Sequence, residues 1–384
     1  MSPITFLILV AGLVLLVVGA EFLVKGSSRL AAMLRIPPLI IGLTVVAYGT
    51  SAPEMTVSVI SALSPQGANI AIGNVVGSNI CNVLLILGLS SLIAPLAVSK
   101  QMIRSDVPIM IGVSLLLLMF SLDGQLGKVD SIILFIGAIT YTLSLIYQSS
   151  KQGVEEDEFA QEYSLSEPVT PIAWVKNTAY IIGGLVLLVL GSRWLVDSAI
   201  TIAQYFQVSE LIVGLTIVAV GTSLPELFTS VIASYRGETD IAVGNVLGSN
   251  IFNILAVLGI SGIIAPNGIN VSQSVINFDL PVMIAVAFSC LPIFYSGKRI
   301  ERWEGILFLF YYVAYTAYLI LNSANPPHPI LPLYVKIMML GVIPGTIIAI
   351  ITIAIMEKGQ KVRNMSSLDS SIAYERRILK FKSS

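Results

Sequence analysis

Two glutamates stand inside otherwise apolar stretches, each closing one of two near-identical segments. GLTVVAYGTSAPE at residues 42–54 ends on Glu54, and GLTIVAVGTSLPE at residues 214–226 ends on Glu226. A carboxylate at the centre of a bilayer costs ~2.5–3.5 kcal/mol even on lenient insertion scales, so it persists only beside a partner, a cavity or a cation. Two such groups in matching segments imply one shared cation site and point to ion transport.

The neighbours of each glutamate suit that chemistry. Pro53 and Pro225 carry no amide hydrogen, so the carbonyls of Gly49 and Gly221, four residues back, lose their helical donors. A helix opened in this way within a membrane must line a cavity or be buried in protein. Freed carbonyls beside Thr50, Ser51, Thr222 and Ser223 are hard oxygen ligands, the kind Na⁺ and Ca²⁺ take, whereas Zn²⁺ prefers nitrogen and sulfur. A second repeated segment, GNVVGSNICN from Gly73 and GNVLGSNIFN from Gly244, places Ser78 with Asn82, and Ser249 with Asn253, four residues apart on one helix face. Those faces are expected to complete the cage. Asn74, Asn79, Asn245 and Asn250 read equally well as hydrogen bonds between helices. Thr44 and Thr216 read as packing residues, and Asp106 and Asp279, just ahead of prolines, as membrane-edge residues. His328, the chain's single histidine, falls among prolines and is not expected to be a ligand.

These residues need an apolar scaffold. With 55% apolar residues, 11% charged residues and a mean hydropathy of +0.89, the chain reads as a polytopic membrane protein. Spans of ~20 residues are expected near 4–23, 38–63, 70–96, 107–122, 131–147, 173–195, 211–235, 241–265, 280–295, 305–321 and 333–356, eleven in all. The first is expected to be a true span rather than a cleaved leader, because its copy lies in mid-chain. A net charge of −1 carries no nucleic-acid footprint, and Cys81 and Cys290, isolated in apolar segments, read as packing residues. Lys and Arg divide eighteen to three between alternate loops with the tail and the opposite set of Lys128, Arg193 and Lys336. By the positive-inside rule this predicts an external N-terminus and a cytoplasmic C-terminus.

The repeat extends through both halves. GLVLLVVG at Gly12 returns as GLVLLVLG at Gly184, and SDVPIMI at Ser105 as FDLPVMI at Phe278. Five spans in each copy force the second to enter the membrane inverted, the architecture of secondary transporters with a midplane site. The expected fold is therefore an all-α polytopic membrane protein: two inverted repeats of five transmembrane helices, at 1–147 and 173–322, plus an extra helix at 333–356. An acidic linker at 148–172 and a basic tail at 357–384 read as solvated segments. The linker lacks the spacing of an EF-hand loop, and the tail has the composition that anionic lipid attracts.

On these motifs, GTSAPE with GSNICN and GTSLPE with GSNIFN, the chain resembles the cation/calcium exchanger superfamily, most closely its prokaryotic sodium/calcium exchangers. The resemblance covers about residues 1–321. It implies that Glu54 and Glu226, with the carbonyls of Thr50 and Thr222, hold Ca²⁺. Sodium sites would add Ser51, Ser223, Ser78, Ser249 and the carbonyls of Ala47 and Ala219, with Asn82 and Asn253 near the middle. It also implies transport in the plasma membrane of a prokaryote, with no cofactor. Family members often carry Asp at the position of Asn253, a residue linked to potassium dependence in one branch. The amide here argues against K⁺ coupling.

Charge arithmetic supplies a mechanism. Two ionised glutamates leave −2 on an empty site, and one Ca²⁺ or two Na⁺ neutralise it, so loaded forms cross a dry barrier far more readily. Overlapping ligands would enforce exchange, and a third Na⁺, as the resemblance implies, would make it electrogenic. The spans opening each half, up to Arg35 and Val208, are expected to slide against the site-bearing core. A Ca²⁺/H⁺ antiporter and a cation channel are the alternatives. An enzyme is disfavoured, because no Ser/His or Cys/His pair falls in the apolar core.

Overall fold

The computed structural model describes residues 3–34, 36–63, 68–151, 170–206, 219–295, 297–323, 327–346, 348 and 352. Of the segments discussed above, residues 152–169 of the acidic linker, the tail over 357–384, Thr216, Arg35 and Val208 lie outside them, as do nearly all residues of the extra helix beyond 346.

Eight helices among the described residues are long and apolar enough to cross a membrane. They are α1 (Pro3–Leu34), α4 (Ile70–Ile93), α5 (Met102–Ser121), α6 (Lys128–Lys151), α7 (Pro171–Tyr205), α9 (Thr239–Ile264), α10 (Val275–Tyr295) and α11 (Arg302–Ser323). The second expected span is two shorter helices, α2 (Pro38–Thr50) and α3 (Ala52–Leu63), and the seventh resumes after its break as α8 (Leu224–Tyr235). A separate unit begins at Leu321 and contains α12 (Leu331–Thr346).

The inverted repeat is visible in the loop pairings. Leu96–Ala97, after α4, pairs antiparallel with Arg299–Ile300, before α11; Gln125–Leu126, before α6, pairs with Ile269–Asn270, after α9. Each ladder joins one half to the other, and exchanging the halves converts one ladder into the other. Widened turns repeat in the same way, at Asn82–Leu87 and Asn253–Leu258 and again at Met102–Asp106 and Val275–Asp279. Such turns concentrate at functional positions, and hydropathy gave no sign of them.

α1 and α7 run antiparallel in backbone contact. A Cβ built on Gly12 would lie 2.9 Å from the Gly191 carbonyl oxygen, and one on Gly19 would lie 2.9 Å from that of Gly184. Only glycine permits that approach, so four glycines at seven-residue spacing clamp the two helices into one body. These helices outrun the spans expected from hydropathy. Lys25 and Arg29 lie inside α1, and Lys176 and Arg193 inside α7, rather than in loops. Apolar content tapers before the backbone ladder does, and in α1 the ladder continues until Pro37 and Pro38 stop it. Lys25 Nζ lies 5.6 Å from the Tyr180 ring centroid on α7, a cation–π placement.

Asp106 also departs from expectation: it is fully buried rather than at a membrane edge, whereas Asp279 is half-buried and accepts a hydrogen bond from Tyr315 Oη at 2.9 Å. Both aspartates end matching widened turns, so the difference between them lies in what packs against each rather than in the turn.

Candidate ion-binding site

The two helix breaks lie where the prolines predict. α2 ends at Thr50 and α3 starts at Ala52, with Ser51 between them at φ −78° and ψ 8°. Ser223 repeats this at φ −87° and ψ 7°, ahead of α8. Pro53 and Pro225 occupy first-turn positions, where a missing amide hydrogen costs nothing. Each break therefore presents a serine and a threonine, and each new helix carries its glutamate in the first turn.

The breaks are threaded together across the repeat. Ser51 Oγ donates to Glu226 Oε1 at 3.0 Å, and Ser223 Oγ donates to Glu54 Oε1 at 3.1 Å. Ser78 Oγ on α4 reaches Glu54 Oε1 at 3.4 Å and Ser223 Oγ at 3.2 Å. Both glutamates are buried, at 0% and 1% exposure, and among the described residues neither has an ion pair. Glu54 Oε2 and Glu226 Oε2 have no hydrogen-bond partner, and Asn82 Oδ1, Asn253 Oδ1 and Ser249 Oγ share that condition. Unpartnered buried oxygens are uncommon, because each loses its hydration without replacement. Eight further buried side-chain oxygens among the described residues share it, both of Asp106 included; what sets these five apart is that they belong to residues the sequence motifs single out.

The other motif residues are placed as follows. Thr50 is fully buried and Thr222 half-buried. The Ala47 carbonyl already accepts the Ser51 amide at 3.0 Å and Thr50 Oγ1 at 3.4 Å, so ligation there would displace the Thr50 hydroxyl. Ala219 lies in the short turn Ala219–Gly221 ahead of the second break. α2 is seated against α9 of the other half, since a Cβ on Gly248 would lie 2.8 Å from the Leu43 carbonyl oxygen and from the Ala47 Cβ.

Asn74, Asn79, Asn245 and Asn250, which sequence left open, are engaged in hydrogen bonds. Asn74 Nδ2 donates to the Glu54 carbonyl at 3.3 Å and to Ser58 Oγ at 3.0 Å; Asn245 Nδ2 does the same to the Glu226 carbonyl at 3.3 Å and Ser230 Oγ at 3.0 Å. Their side-chain oxygens accept from the threonines of the opposite breaks, Thr222 at 3.4 Å and Thr50 at 3.1 Å. Asn82 Nδ2 donates to Asn250 Oδ1 at 2.9 Å and Asn253 Nδ2 to Asn79 Oδ1 at 3.1 Å, which leaves the Asn82 and Asn253 oxygens unpartnered. These four asparagines orient their neighbours. Ser58 and Ser230, missed in the sequence reading, were detectable as matched serines four residues after each glutamate.

One expectation is corrected in detail. The Gly221 carbonyl, released by Pro225, is not open: Ser192 Oγ on α7 donates to it at 2.6 Å. Nothing local to the GTSLPE segment signals a serine 29 residues upstream.

Among the described residues the two carboxylates are joined through hydroxyl and amide groups with no basic side chain bonded to them, a setting of net negative charge suited to hard cations. The sodium/calcium exchanger protein family matches residues 4–147 and 176–321. The sodium/calcium exchanger MaX1 of Methanosarcina acetivorans is 33% identical over 346 residues, covering 82% of this chain and 98% of MaX1. The inner membrane protein YrbG of Escherichia coli K12 is 39% identical over 290 residues, covering 74% and 87%. A structure of the sodium-calcium exchanger NCX_Mj, soaked without Na⁺ or Ca²⁺, superposes with a TM-score of 0.71 at 30% identity, covering 83% of this chain and all of the other. Two inverted halves, two broken helices and a shared carboxylate cage thus agree with the matches on one conclusion: this chain belongs to the sodium/calcium exchanger family and is a cation exchanger of the membrane.

Proposed function

We propose that the protein exchanges Na⁺ for Ca²⁺ across a prokaryotic plasma membrane by alternating access, electrogenically and without K⁺. The observation that supports this is the pair of buried carboxylates, Glu54 and Glu226, each held by a serine of the opposite break and each with one oxygen unpartnered. MaX1 is named for the same pair of ions, and NCX_Mj was soaked with Na⁺ and Sr²⁺ as well as without ions. Calcium is bound by Glu54, Glu226 and the carbonyls of Thr50 and Thr222. Sodium uses Ser51, Ser223, Ser78, Ser249 and the carbonyls of Ala47 and Ala219, with Asn82 and Asn253 at the centre. Because the ligand sets overlap, the two ions exclude each other, and the −2 charge of the empty cage opposes an empty return. The α1–α7 pair slides as one body against the site-bearing helices.

Purified protein in sealed vesicles tests this with Na⁺, H⁺ and K⁺ gradients imposed singly. Calcium flux is expected with the Na⁺ gradient alone and is expected to build a membrane potential. Flux driven by the pH gradient without sodium would replace this reading with a Ca²⁺/H⁺ antiporter, and uncoupled conductance with a channel.

Orientation has its own test. Single cysteines placed within residues 148–172 and after residue 357 are expected to react with a membrane-impermeant maleimide only from the cytoplasmic face, as the charge division implies. Labelling of either from outside intact cells would overturn the proposed orientation.

A further inference from the structure

The α1–α7 body is fastened to α8, the helix that carries Glu226, at two points. On α7, the buried Ser192 hydroxyl occupies the Gly221 carbonyl at the helix break, at 2.6 Å. On α1, which packs along α8, Glu21 forms an ion pair with Arg236 at the end of α8, with Arg236 Nε 2.7 Å from Glu21 Oε2. One fastening grips the short turn just ahead of α8, beside the Ser223 break, and the other grips the C-terminal end of α8.

The repeat does not duplicate them. Aligning GLVLLVVGAE with GLVLLVLGSR sets Ala20 opposite Ser192 and Glu21 opposite Arg193, and aligning the GTS-PE segments sets Ser64 opposite Arg236. Exchange of the roles of the halves, which an inverted repeat requires for the opposite-facing state, would bring Ala20 toward Gly49 and, by sequence correspondence, replace the Glu21–Arg236 pair with Arg193 and a serine. Alanine offers no hydroxyl to a carbonyl, and serine offers no charge to an arginine. One facing state has a hydrogen bond and an ion pair that its mirror image lacks.

We infer that Ser192 and the Glu21–Arg236 pair form a latch that holds the α1–α7 body on α8, closes the Arg236 face of the membrane, and biases the two-state equilibrium of the exchanger toward opening at the other face. The inference rests on the exchange reading above. Ser192 is the more telling part. It sits on the moving body yet bonds a carbonyl of the helix break, so releasing the body also releases an oxygen beside the ion cage. Ser192 is a positioning residue through which helix movement and the ligand supply of the second break are coupled.

A latch has a signature that general damage lacks. When a binding-competent state is depopulated, apparent affinity falls at the face it opens and rises at the opposite face, in proportion to the population shift. Full-length Ser192→Ala, Glu21→Gln and Arg236→Gln are to be compared with wild type in right-side-out and inside-out vesicles, reading the half-saturating Ca²⁺ at each face. Expected are shifts of opposite sign, with weaker affinity at the far face and stronger affinity at the Arg236 face. They should be ~2–5-fold for the half-exposed ion pair and ~10-fold for Ser192, whose loss strands a buried carbonyl. The charge swap Glu21→Arg with Arg236→Glu is expected to restore wild-type values. Parallel shifts at both faces, or no shift, would overturn the latch. Hydrogen exchange of the same proteins in detergent gives an answer independent of transport: faster amide exchange in α1 and in the first turn of α8 supports the latch, and unchanged exchange refutes it. If wild type shows no Na⁺-driven calcium flux, the exchange reading fails, while hydrogen exchange still decides whether the latch exists.

Discussion

Glu54→Gln and Glu226→Gln are each expected to reduce Na⁺-driven calcium flux below about one hundredth of wild type, while the purified protein keeps its helical content and its solubility in detergent. Loss of a residue merely supporting a metal ligand costs ~10–100-fold, and these carboxylates are proposed as the ligands themselves. Glutamine preserves shape, and its carbonyl oxygen can still accept from Ser223 and Ser78 at position 54, or from Ser51 at position 226. What disappears is half the site charge, leaving −1 where a divalent ion needs −2. A neutral amide is also cheaper to bury than a carboxylate without an ion pair, so stability should hold or rise. Calcium flux near the wild-type level in either folded variant would remove these glutamates from the ion site.

The second large effect is expected from Asn253→Asp. Asn253 Nδ2 donates to Asn79 Oδ1 at 3.1 Å, and Asn79 cannot readily reverse its amide because its own Nδ2 is committed to the Asn250 carbonyl at 3.0 Å. An ionised aspartate would set an anionic oxygen against the Asn79 oxygen, in a cage already holding two carboxylates. A proton or an additional monovalent cation relieves that conflict. The variant's flux is therefore expected to depend on pH or on K⁺, by about tenfold or more across the range tested, since a stranded buried polar pair costs ~1–3 kcal/mol. The parent protein is expected to respond to Na⁺ alone. A variant indistinguishable from the parent across pH and K⁺, or a parent that needs K⁺, would place Asn253 outside the ion site.

Much of the fold was legible because a membrane imposes simple rules. Apolar length marks the helices, proline marks the breaks, and a repeated sequence with five spans per copy inverts the second half. The glutamates stood out because an ionisable group is rare where hydration is absent. Helix ends were less legible: α1 and α7 continue past the apolar stretch, since hydropathy reports the solvent while the hydrogen-bond ladder reports the backbone. The widened turns starting at Asn82 and Asn253 escaped notice for a related reason, as a one-residue expansion hardly alters a hydropathy window.

What sequence by itself determined was chemical identity: which residues carry charge in an apolar setting, which carbonyls lose their donors, and that every such feature occurs twice. Those are covalent and local properties, present in any conformation of the chain. Tertiary structure decided the partnerships. It set Ser51 on Glu226 and Ser223 on Glu54 across the repeat, assigned Asn74, Asn79, Asn245 and Asn250 to hold their neighbours, and left Asn82 and Asn253 with bare oxygens. It also broke the symmetry that the repeated motifs suggest, by closing the Gly221 carbonyl with Ser192 and tying α1 to α8 through Glu21 and Arg236. Hydrogen bonds form only within about 3.5 Å, and contacts between residues 29 to 215 positions apart depend on how helices pack rather than on any local pattern.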